Sequence, residues 1–144
     1  MNQAKVYLNQ LRILDSKIQR RQQEVDELRQ AAMSLGSNGL DPDKVRTDSP
    51  DPDPLASRIV KYVAMENEIN EMIDEFIDLK HTIIGQIQML DDANCMDVLW
   101  KRYVDRKTFV QIAEEMHYDI STIFRIHGRA LQMFNEKFIF VNVQ

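Results

Sequence analysis

Apolar residues recur at alternating spacings of three and four along the first part of the chain. Ala4, Tyr7, Leu11, Leu14, Ile18, Val25, Leu28, Ala32 and Leu35 fall on the a and d positions of a heptad, and Arg21 is the one break. No Gly or Pro interrupts residues 4–35. A 3.5-residue repeat kept this long leaves a narrow stripe that another helix must cover. Residues 1–35 are therefore predicted to form a coiled-coil helix, with Leu11, Leu14, Ile18, Val25 and Leu28 as its candidate oligomerisation residues. Gly36-Ser37-Asn38-Gly39 is expected to end it.

Residues 36–54 hold all four prolines and five aspartates. Asp51-Pro52-Asp53-Pro54 should be extended and stiff, because each proline restricts itself and its predecessor. The composition reads as a solvated tether. Pro54 suits the first position of a second long helix, with Asp53 as its cap. Over residues 55–90, Ile59, Tyr62, Ile69, Ile73, Phe76, Ile83, Ile87 and Leu90 form one stripe, widened by Met65, Met72, Ile77 and Leu79. So broad a face implies more than one neighbour, while Glu66, Glu68, Glu71, Asp74, Glu75 and Asp78 should face water. The linker can return the chain to either end of the first helix. A hairpin, a parallel pair and a dimer all satisfy the pattern.

After Asp91-Asp92-Ala93-Asn94 the texture changes to three short helical stretches. The first, near residues 96–104, should bury Leu99, Trp100 and Tyr103. The second begins at Thr108, which forms a capping box with Gln111. The third follows Asp119, a good N-cap, and should hold Ile123, Ile126, Ala130, Leu131 and Phe134 inside. Residues 91–134 thus have the layout of a helix-turn-helix domain, with Ala113 small enough for close approach and Tyr118 plugging the turn. Residues 135–144 form an apolar tail expected to pack on something. The fold class is all-α.

In this layout the later helix enters a major groove by its first turns. Its outward positions are Ser121, Thr122, Arg125 and Arg129, with Phe124 and Gly128 near the edge. Arg125 can fork onto a guanine edge, and the hydroxyls can reach bases or phosphates. Lys101, Arg102, Arg106 and Lys107 lie upstream and can hold the backbone.

Charge limits this reading. The 144-residue chain has 18 Lys+Arg against 23 Asp+Glu, net −5, which excludes a uniformly basic nucleic-acid binder but not a local basic face. Residues 91–144 hold seven basic and eight acidic side chains, net −1, so Asp91, Asp92, Asp97, Glu114 and Glu115 are expected to point away from the basic positions. One half-site would then be bound modestly, and a dimer would supply useful specificity.

Other chemistries find little footing. The three histidines and Cys95 lack metal-ligand spacing, so neither a metal nor another cofactor is expected. His81 reads as a half-buried packing residue, His117 as part of the turn and His127 as a solvated helix position. There is no glycine-rich phosphate loop, nucleophile motif or convergent acid–base pair, so an enzyme is not expected. A single cysteine, no signal-peptide core and no membrane-length apolar run point to a cytoplasmic protein away from the membrane.

The run Thr108 to Leu131 (TFVQIAEEMHYDISTIFRIHGRAL), preceded by Val98-Leu-Trp-Lys-Arg-Tyr103, resembles region four of bacterial sigma factors. The ensemble also resembles small phage and prophage regulators related to the ArpU and RinA late-gene activators, with the closer likeness over residues 91–134. The resemblance implies sequence-specific binding of double-stranded DNA, control of phage genes and contact with RNA polymerase. It places Asp119 as the cap of a recognition helix whose DNA-facing start holds Ile120, Ser121, Thr122, Phe124 and Arg125. Sigma factors favour basic residues where this chain has Ile120 and Phe124. A homodimeric regulator is the leading expectation. A ring-forming packaging component of the small-terminase kind, or a helical interaction protein that never meets DNA, are the alternatives.

Overall fold

Helix α1 (Gln3–Asn38) begins behind Asn2, whose Oδ1 accepts the Lys5 N–H at 3.2 Å. Helix α2 (Pro54–Gln88) begins as its sequence requires. Asp53 Oδ1 accepts the Ala56 N–H at 3.1 Å, and Pro54, with no N–H to satisfy, takes the first helical position. Three shorter helices follow, α3 (Ala93–Leu99), α4 (Phe109–Met116) and α5 (Ile120–Phe134). The computed structural model describes residues 2–38 and 53–139, and among these every regular element is helical, so the fold is all-α. Helix α1 runs through Gly36 to Asn38 instead of stopping before the glycine. Most of the expected linker and the end of the apolar tail lie outside the described residues.

The chain forms two compact units, Met1–Asp15 with Phe76–Gln144, and Ser16–Glu75. In the second unit α1 and α2 lie side by side within one chain. Ile18, Val25 and Ala32 of α1 and Ile69 of α2 are buried there, Arg29 pairs with Glu66, and the Arg29 guanidinium lies 5.7 Å from the Tyr62 ring centre. Arg21, the heptad break, is exposed and pairs with Glu24 at 3.3 Å. The two helices leave an open groove of about 360 Å³ with a mixed lining, polar at Gln22, Asp26, Arg29, Glu66 and Asn70 and apolar at Val25, Ile69 and Ile73.

The candidate oligomerisation stripe is therefore used internally. Leu11, Ile18 and Val25 are buried and Leu14 and Leu28 half-buried without a second copy. Two expectations for α2 are corrected. Ile59 and Ile77 are exposed, as is His81. At 100° per residue, Ile59 and Ile77 sit about 80° off the line through Ile69 and Ile87, and His81 about 120° off it. They flank the buried stripe instead of widening it.

In the first unit a single core gathers Ala4, Leu8 and Leu11 of α1, Ile83 and Ile87 from the end of α2, Leu90 just beyond it, and the inner faces of α3 to α5. The trihelical region is thus completed by both long helices' ends. Tyr7 donates its hydroxyl hydrogen to Gln86 Oε1 at 2.8 Å, tying α1 to α2 at this end. Leu8, off the a and d positions, is fully buried because here α1 meets several neighbours, which widens the face it must cover.

Asp92 caps α3 by accepting the Cys95 N–H at 3.0 Å. The helix continues into a wide turn over Trp100–Val104, where the Asp105 N–H reaches the Trp100 carbonyl at 3.0 Å, and it stops at Arg106, whose φ is 57°. Helix α5 likewise runs into a wide turn over Asn135–Ile139, which sets the Phe138 ring 4.8 Å from Phe134. That contact is the packing partner the first part of the apolar tail called for.

Candidate nucleic-acid interface

Helix α4 is closed at its start by the capping box. Thr108 Oγ1 accepts the Gln111 N–H at 3.1 Å, and Gln111 Oε1 accepts the Thr108 N–H at 2.9 Å. It ends at His117, left-handed with φ 58° and ψ 40°. Two residues later Asp119 accepts the Thr122 N–H at 3.1 Å and starts α5. Hydrogen bonds from Thr122 hold the Asp119 carboxyl below the usual carboxylate range, so the cap is charged at neutral pH. Ile112 and Ala113 of α4 pack with Ile123 and Ile126 of α5 in the buried core. Tyr118 does not plug the turn. It is exposed, and its hydroxyl oxygen accepts from Asn94 Nδ2 at 3.2 Å, linking the turn to α3.

All five apolar residues assigned to the inside of α5 are buried. A sixth joins them, since His127 is only 8% exposed. Its Nε2 lies 2.8 Å from the Tyr103 hydroxyl, and the Phe109 ring stands edge-on to it at 4.9 Å. Burial, then the charges of Lys5 and Arg102, push its pKa down to about 4, while burial pushes Tyr103 up to about 12. At neutral pH the phenol therefore donates and the neutral imidazole accepts. The expectation of a solvated His127 is corrected. Its position was legible, because it stands four residues from both Ile123 and Leu131 on the inner stripe.

The opposite face of α5 is open. Ser121, Arg125 and Gly128 lie along its outward line, and all three are exposed. Ile120 and Phe124 flank that line on the α4 side, where the Phe124 ring meets Phe109 at 5.0 Å. Thr122 and Arg129 flank it on the other side, where Arg129 pairs with Asp92 at 2.5 Å. A Cβ at Gly128 would meet nothing within 4 Å, and its φ is not positive. Gly128→Ala should therefore raise stability by about 1 kcal/mol in urea denaturation. Unchanged or reduced stability would mean that this turn is not the plain helix described.

The upstream cations are less free than their spacing suggests. Lys101 and Lys107 converge on one oxygen, Glu115 Oε1, at 2.9 and 2.8 Å. Hydrogen bonds from both lysines hold the Glu115 carboxyl below its ordinary range. Arg102 donates to the Lys107 carbonyl at 3.1 Å, with its guanidinium 4.1 Å over the Phe109 ring. Arg106 pairs with Asp15 at 2.6 Å. Glu115 and Asp92 were expected to point away; both turn into the cation set, because helix packing brings together charges distant in sequence. Among the described residues, the Arg125 side chain makes no ion pair or hydrogen bond.

A family model described as a protein of unknown function, DUF1492, matches residues 57–135, more than half of the chain. The chain belongs to that family. No curated protein and no solved structure matches it.

Proposed function

We propose that this DUF1492 chain is a sequence-specific, non-enzymatic DNA-binding regulator of transcription that sets the first turns of α5 into a major groove. The observation that carries the reading is Arg125. Among the described residues it forms no ion pair, though its charge helps hold the Asp119 cap ionised, and it stands exposed in the middle of the outward face of a capped helix, beside Ser121 and Thr122, while the neighbouring basic side chains are engaged. A guanidinium held this way is free to fork onto guanine O6 and N7. Lys101, Lys107 and Arg102 flank it as phosphate contacts. Exposed ion pairs contribute only about 0–1 kcal/mol, so a phosphate can draw the two lysines away from Glu115. The likeness of residues 91–134 to sigma region four supports the same face, and with it control of phage or prophage genes, contact with RNA polymerase and action in the cytoplasm. A homodimer remains the form that gives useful affinity, and its contact lies outside the heptad stripe, which the chain uses internally.

The test is selection of bound duplexes from a random pool, followed by binding measurements at several salt concentrations. Arg125→Ala should weaken the selected site by about 1–3 kcal/mol and relax its specificity. Glu115→Gln should tighten binding to every duplex and steepen the salt dependence by about two, as two lysines are released to phosphates. Absence of any enriched duplex, or an Arg125→Ala variant that binds like the parent, would overturn the reading.

A further inference from the structure

The DNA-facing side of α5 carries two large apolar side chains exposed to water, Ile120 at 41% and Phe124 at 50%. Four residues apart, they stand one above the other on a single ridge next to Ser121 and Arg125. The core does not account for them, since the buried stripe of α5 runs through Ile123, Ile126 and Ala130. The far side of the ridge is propped by Phe109, which touches Phe124 at 5.0 Å and carries the Arg102 guanidinium at 4.1 Å. The Phe124 end of the ridge is thus braced by Phe109, with the Arg102 guanidinium behind that ring and Arg125 next along the helix.

That pairing of features selects among occupants. A polyanion answers the two guanidiniums, and the major groove of a duplex offers an apolar group at base level, the C5-methyl of thymine. We infer that Ile120 and Phe124 read thymine methyl groups, so that the preferred sites place thymines beside the guanine taken by Arg125. This rests on the DNA-binding reading above and adds to it the base composition of the target.

Deoxyuridine differs from thymidine only by that methyl, which makes the test direct. Duplexes selected by the full chain are resynthesised with each thymine replaced in turn by deoxyuridine. Loss of a methyl that is buried on binding should weaken the complex about fourfold, and two such losses about fifteenfold, at roughly 0.8 kcal/mol per buried carbon. Phe124→Ala should become indifferent to one of these replacements and Ile120→Ser to another, while both keep their preference for the guanine. Selected duplexes that bind equally well with deoxyuridine, or variants that lose as much as the parent, would overturn the inference and leave DNA binding standing. Failure to enrich any duplex would overturn both.

Discussion

Phe134→Ala is expected to lower the stability of the chain by about 3–5 kcal/mol, the range for emptying a fully buried phenylalanine site. Phe134 closes α5 and is 0% exposed. Its ring meets Tyr7 of α1 at 5.9 Å and Phe138 of the following turn at 4.8 Å. Truncation removes the aromatic contacts of three segments at once and leaves a cavity that backbone held by α1 and α5 cannot easily fill. Against the 5–15 kcal/mol that holds a typical domain, that loss is large enough to unfold much of the population on modest warming. Urea denaturation followed by helical circular dichroism reads it directly. Phe138→Ala, at a half-buried ring, should cost distinctly less. A Phe134→Ala variant within 1 kcal/mol of the parent would mean that α1 does not cover α5 in solution.

The second large effect is acid destabilisation centred on His127. In the folded chain its pKa is about 4, against about 6.5 for an unhindered imidazole. Between these values the unfolded chain takes up a proton that the folded chain refuses, so stability falls as pH drops from about 6.5 towards 4. The full contribution is about 2–3 kcal/mol, allowing for water at the ring edge. His127→Gln keeps an acceptor for the Tyr103 hydroxyl without the titration, and its stability should be flatter over that window. The carboxyls of Asp92, Glu115 and Asp119 are all held low and lose their contributions at more acidic pH, so they do not mask the histidine. Denaturation midpoints measured from pH 7.5 to 4.5 would decide it. Parallel curves for parent and variant would show that the imidazole is open to solvent when folded.

Periodicity and capping carried much of the fold. The Thr108, Asp119 and Asp53 caps and the inner residues of α5 all follow from local rules of spacing and hydrogen bonding, and the structure has them in place. The a and d stripe of α1 was equally legible, but its partner was not, because a heptad states that a helix must be covered and never by which chain. The electrostatics of the candidate site were hidden for a related reason. Arg129 meets Asp92 across 37 positions and Arg106 meets Asp15 across 91, so only packing brings these charges together. Glu115 was misread because a carboxylate on an amphipathic helix carries no local mark of the lysines it will face. His127 was misread as an ordinary polar residue although its spacing matched the buried stripe.

The contact between Tyr7 and Phe134 also governs when the first unit can close. During synthesis the opening residues of α1 emerge long before α5 exists, and although α2 and α3 supply part of their cover, the ring of Phe134 reaches Tyr7 only after α5 has been made. Closure of this unit therefore joins segments 127 positions apart, and it carries the loop-closure entropy of the long chain between them.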